Sequence, residues 1–171
     1  MKAEYCTVGD DQTIRVRCSL KKTQLRIQRL ECVARACALT DSADIVAVGF
    51  GGRNSVAGLS KTAQAKTGGI LVKAAIFDKH QSYITHLDFS ADGQVLQSNC
   101  GAYELLFSNT ATGKHITSAS STKDTQWHSW TCVLGWPVQG IWSPCSNGIN
   151  INAVCASSLT SRFYSLFILS N

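Results

Sequence analysis

"SYITHLDFSADGQVLQSNCGAYELLFSNTATGKHIT" (residues 82–117) decides the fold. Short apolar runs alternate with turn residues, and no helical period is sustained. The spacing predicts strands over 84–89, 95–99, 103–107 and 114–117. The first pair is joined by a turn at Ala91-Asp92-Gly93, and the last strand is entered through Thr112-Gly113. An Asp-Gly step supplies the positive φ that a tight hairpin needs.

The same plan recurs upstream. "YCTVGDDQTIRVRCS" reads as two strands about a turn at Asp10-Asp11-Gln12, and "QLRIQRL" (24–30) as a third. "ARACALTDSADIVAVGFGG" then gives a small-residue strand, a turn at 41–44 and an apolar strand at 45–49. Val8-Gly9 and Val48-Gly49 stand forty residues apart. Four short strands per ~40–45 residues is the period of a β-propeller blade. Small residues in "ARACA" suit an innermost strand, where blades crowd. The chain is therefore expected to be all-β, an incomplete propeller of about two to three four-stranded blades.

Length sets the word incomplete. Seven blades at this period need ~300 residues, and the chain has 171. Val46 and Leu96 are fifty residues apart, and a Gly/Ser/Ala/Lys-rich stretch lies between them. Residues 59–73 are expected to be a flexible loop or splice junction. It separates blade segments at 1–58 from a blade plus Trp-rich segment at 74–156. If Val46 and Leu96 are two periods apart, about thirty residues of blade are missing. "INAVCAS" begins a further inner strand, whereas 157–171 lacks an Asp-Gly turn and reads as an unfinished tail. The chain is thus expected to be a piece of a longer protein, poorly folded or self-associating through open blade edges.

Charge is unevenly placed. Of the net +5, all resides in residues 1–66, with eleven Lys/Arg against six Asp/Glu; residues 67–171 balance at five of each. Exposed members of the basic stretch, Arg15, Lys21, Lys22 and Arg26, are the candidate contacts for an acidic partner. The stretch has no aromatic interleaving, so nucleic acid is not expected. No run approaches the ~20 apolar residues of a membrane span, and the first residues show no secretory h-region. The eight cysteines form no C-x-x-C pair and read as reduced core residues of a cytoplasmic protein.

Catalytic motifs are lacking. There is no G-x-S-x-G or H-E-x-x-H, and "GFGGR" (49–53) follows a strand without the Lys-Ser/Thr of a phosphate loop. His80, His86, His115 and His128 have no Cys/His partner at zinc-like spacing, although His86 and Asp88 share a strand face. No catalytic residue, cofactor or metal is assigned, and no enzymatic activity is expected.

Two stretches carry a resemblance. "VGDDQTIRVRCS" resembles the WD-repeat pattern with Arg17 and Cys18 where Trp-Asp is usual. "KHQSYITHLDFSADGQVL" resembles its Gly-His loop and first strand, with His80 matching the His. That family's His, hydroxyl, Asp and Trp network would keep Ser98 here, while Ala102 and Ser108 stand in place of Asp and Trp. Together with "WHSWTCVLGWPVQGIW" and "SNGININAV", residues 5–52 and 77–156 resemble the echinoderm microtubule-associated protein-like family. The resemblance implies tubulin or microtubules as partner, a cytoskeletal location, and a Trp-rich link from one blade's outer strand to the next blade's inner strand. A WD-type scaffold for another protein is the alternative. Trp127, Trp130, Trp136 and Trp142 are expected to be packing plugs at that junction rather than ligand contacts.

Overall fold

The fold was obtained as a computed structural model. It describes residues 4–51, 56–61, 71–136, 138, 150–156 and 163–168, without the side chains of 57–61, 150, 155–156 and 163–168. Among the described residues twelve strands fall into four antiparallel sheets. The first holds β1 (Glu4–Val8), β2 (Thr13–Cys18) and β3 (Thr23–Arg29); the second holds β4 (Ala34–Leu39), β5 (Ile45–Phe50), β6 (Val56–Lys61) and β7 (Leu71–Phe77). The third holds β8 (Ile84–Phe89), β9 (Val95–Cys100) and β10 (Leu105–Asn109), followed by a 3₁₀ turn at Ala119–Thr122. β11 (Asn150–Ala156) and β12 (Phe163–Ile168) form the fourth.

Each sheet runs in chain order, as short hairpins demand. Where one face is solvated the alternation is visible: Ile14 and Val16 of β2 are buried while Arg17 is exposed. Between two neighbouring sheets both faces are covered, and alternation gives way to continuous burial. In β5, Val46, Val48 and Phe50 enter a core with Ile14, Leu30, Ala34 and Leu71. Ala47, one residue out of phase, enters a second core with Phe77, Ile84, Leu87, Phe89 and Leu96. A single strand thus feeds two inter-sheet layers, which is blade packing.

β4 packs against β1 on one side and β8 on the other, so "ARACA" is the innermost strand, as its small residues predict. β1 stands beside β4 as β5 stands beside β8, so the first sheet supplies the second, third and fourth strand positions of a blade. The all-β propeller reading holds. Among the described residues one sheet has the full four strands.

Four expectations are revised. The fifty residues between Val46 and Leu96 are one blade, not two: β5 and β9 are equivalent strands of adjacent sheets, and no blade is missing between them. The extra length lies in the β6–β7 hairpin. The expected loop at 59–73 accordingly falls within one sheet; Leu59 and Lys61 pair in β6 with Lys73 and Leu71 in β7, and 62–70 lie outside the described residues. The strand expected at 114–117 shrinks to one bridge between Ser108 and His115, because Gly113 turns the chain at φ 70° and the 3₁₀ turn follows immediately. Residues 163–168 of the tail, lacking an Asp-Gly turn, nevertheless pair along β11.

Phe89 is buried in the layer between the second and third sheets, whereas Leu20 is exposed in the β2–β3 turn. Phe89→Ala is expected to cost about 3–5 kcal/mol, and Leu20→Ala nearly nothing; thermal or urea unfolding of the two variants checks this.

Candidate functional site

The Trp-rich segment is built onto the third sheet by a buried carboxylate. Asp88 on β8 is 1% exposed. Its Oδ1 accepts the Ser129 N–H at 3.0 Å and the Ser129 hydroxyl at 2.7 Å, and its Oδ2 accepts the Trp130 N–H at 2.7 Å. Burial raises its pKa above the usual carboxylate value, against the lowering effect of those donors. Just upstream, Ala91 N–H donates to the Gln126 carbonyl and His128 N–H to that of Phe89, so the segment pairs briefly with the end of β8. Trp130 takes φ 55°, which turns the chain across the sheet.

The indoles then fill gaps. Trp127 is buried and stacks on Phe107 of β10, with centroids 5.9 Å apart and planes at 30°. Trp136 donates its indole N–H to the Ala119 carbonyl and the Thr122 hydroxyl, both at 3.2 Å. Val133 and Val138 pack on Ile151 and Val154 of β11. The link from the third sheet to β11 is therefore packed as the sequence predicts for Trp127 and Trp136; Trp142 lies outside the described residues.

His80 and its partners sit at the other end of that sheet. His80 Nε2 lies 2.6 Å from Ser98 Oγ, so this half of the WD-type network is formed. The missing acid is replaced: Glu104, just before β10, places Oε2 3.4 Å from His80 Nδ1 and accepts the Gln81 N–H at 2.9 Å. Ala102 pointed the sequence reading away from this carboxylate, which enters two residues later. His86 and Asp88 go to different partners, since His86 Nε2 meets the Asn152 carbonyl at 3.1 Å.

A cleft of about 510 Å³ opens beside the inner strands. Glu4, Asp41 and Asp88 lie along it with Cys6, Cys37 and His128. Three carboxylates make it a poor seat for an acidic partner. Cys37 Sγ lies 3.5 Å from the Cys6 carbonyl. Contact with the Cys37 thiol and burial push the Cys6 thiol up, away from thiolate character. Burial does the same to Cys132. The six cysteines with described side chains are free thiols, half-buried or buried.

The basic candidates are elsewhere, on the first sheet, and do not form one patch. Lys21 and Lys22 share the exposed β2–β3 turn, Lys22 at φ 52°. Arg15 is opposite Ile27 and Arg26 opposite Val16, so the two arginines stand on opposite faces. Arg15 is held by Asp11 at 2.6 Å.

Antiparallel sheets in chain order, stacked through small inner strands, define a segment of β-propeller. A family model described as the echinoderm microtubule-associated protein second β-propeller matches residues 65–164, more than half of the chain. The chain belongs to this family. It is 48% identical over 79 residues to the 77 kDa echinoderm microtubule-associated protein of Strongylocentrotus purpuratus, a match covering 46% of this chain and 12% of that protein. Against echinoderm microtubule-associated protein-like 1 of Mus musculus it is 46% identical over 76 residues, 44% of this chain and 9% of the relative. Echinoderm microtubule-associated protein-like 2 of Homo sapiens gives 47% over 78 residues, 46% and 12%. The chain thus spans about a tenth of the length of these relatives.

Asp88→Asn replaces an acceptor of three donors by a group that itself carries N–H bonds. It is expected to cost about 1–3 kcal/mol and to speed amide exchange at Ser129 and Trp130, read by hydrogen–deuterium exchange. A carboxyl raised in the fold contributes stability below its unfolded value of 3.8 and loses it as pH rises through the higher folded value. The Asn variant should lack that downward step.

Proposed function

We propose that this chain is a non-catalytic microtubule-associated propeller segment whose partner is tubulin, in the cytoplasmic cytoskeleton. The observation that carries the reading is the family match over residues 65–164, together with relatives whose names declare microtubule association. Charge supports it. Lys21 and Lys22 are exposed in one turn, and Arg17 is exposed near that turn on β2. Such a cluster attracts an acidic protein surface and is screened by salt. Leu25 and Ile27, exposed on β3, offer apolar area beside it. Arg15 contributes less, because Asp11 already neutralises it, and Arg26 less again, being half-buried.

Co-sedimentation with polymerised tubulin tests the proposal. The chain is expected to pellet at low ionic strength and to be released by added salt, and Lys21→Glu with Lys22→Glu is expected to weaken binding roughly tenfold, about 1.4 kcal/mol. Absence of pelleting above background would leave the alternative, a WD-type scaffold for another protein, to be sought by pull-down.

A further inference from the structure

We propose that His80, Cys100 and Glu104 form a three-ligand site for a zinc ion that clamps the outer end of the third sheet. The three come from separate elements: His80 from the loop before β8, Cys100 from the last position of β9, and Glu104 from the turn before β10. No spacing rule joins them in sequence, yet a ring nitrogen of His80, Sγ of Cys100 and a carboxylate oxygen of Glu104 all lie within 4.8 Å of one another. Sγ of Cys100 stands 3.2 Å and Nδ1 of His80 stands 3.4 Å from the same Glu104 oxygen. Tetrahedral zinc with N, S and O ligands has ligand-to-ligand edges of about 3.4–3.6 Å. Two edges are already within a few tenths of an ångström of that geometry, and the third, between the imidazole and Sγ, closes from within 4.8 Å as the ion binds.

The chemistry of the donors fits as well. At 3.4 Å the His80–Glu104 contact is longer than a good charge-assisted hydrogen bond. The 2.6 Å contact from Nε2 to Ser98 Oγ is short. Ser98 can turn its own hydroxyl proton toward the Leu106 carbonyl at 3.5 Å, so that Nε2–H donates to Ser98. The Nδ1 lone pair then faces a carboxylate lone pair, an arrangement that a cation between them stabilises. Ser98 becomes the outer partner that fixes ring orientation, as such groups do for zinc-bound imidazoles.

Charge balances. Zinc brings +2; the Cys100 thiol releases its proton to solvent on binding, and thiolate with carboxylate supplies −2. A neutral centre is the form a buried position tolerates. His80 and Cys100 are buried, while a quarter of the Glu104 side chain is exposed, leaving an entry path and a fourth position for water.

The test is cobalt(II) substitution on the full chain, with far-UV dichroism confirming β-structure. One equivalent is expected to bind with a thiolate-to-cobalt charge-transfer band in the near ultraviolet and tetrahedral d–d bands in the visible. Cys100→Ser should abolish the charge-transfer band; Glu104→Gln, altering a partly exposed side chain, should weaken binding while keeping the band. Ser98→Ala should weaken it about 10–100-fold. Cys6→Ser with Cys37→Ser should leave it intact. A folded chain without the band, or a band that survives Cys100→Ser and vanishes with Cys6 and Cys37, overturns the site.

Discussion

The architecture depends on how closely adjacent blades approach near their inner strands. At Gly49 of β5 a Cβ atom would stand 2.5 Å from Ile84 Cγ2 and 2.7 Å from Ile84 Cβ, inside van der Waals contact. Only a bare backbone lets β8 seat Ile84, fully buried, against the second sheet. Ala36 on β4 and Ala47 on β5 belong to the same layer and are small for the same reason. In the second sheet the outermost strand also contributes bulk, with Phe77 buried on β7. The small residues of β4 and β5 are what let the third sheet close onto the second.

That spacing controls what can lie over the last sheet. β8 has the second sheet on one side, and on the other it needs a cover. The Trp-rich segment supplies it, anchored through Asp88 and filled by Trp127 on Phe107. Anchoring by a buried carboxylate is costly unless its oxygens are hydrogen-bonded, and Ser129 and Trp130 supply three donors. At the far end of the same sheet, the His80, Ser98 and Glu104 contacts tie the loop before β8 to β9 and to the β10 turn. The third sheet is therefore held by polar groups at both ends and by apolar layers in between.

Much of this fold was legible in the sequence because strand patterns and turn chemistry are local. Ala91-Asp92-Gly93, the Gly9–Gln12 turn and the small residues of "ARACA" each announce their element. Segment length misled where the extra residues sat inside a hairpin: "SKTAQAKTGG" (60–69) reads as a flexible loop by composition, yet the chain on either side of it pairs as β6 and β7. Pairing is a non-local fact, and a polar Gly-rich stretch carries no sign of it. The same holds for the sites. His80 and Ser98 follow from a repeat pattern, whereas Cys100 and Glu104 join them only through the β9–β10 turn. The role of Asp88 was invisible because its donors, two backbone N–H groups and the Ser129 hydroxyl, come from about forty residues away. The basic stretch reads as one patch in sequence, but strand alternation sends Arg15 and Arg26 to opposite faces.

A double-mutant cycle between Gly49 and Ile84 tests the central claim most directly. Gly49→Ala and Ile84→Ala are each expected to destabilise the chain, one by overpacking and the other by leaving a cavity. Together they should be less damaging than their sum, by more than about 0.5 kcal/mol, because the new methyl enters the vacated space. Strict additivity in urea unfolding would contradict direct packing of β5 on β8, and with it the stacked-blade account.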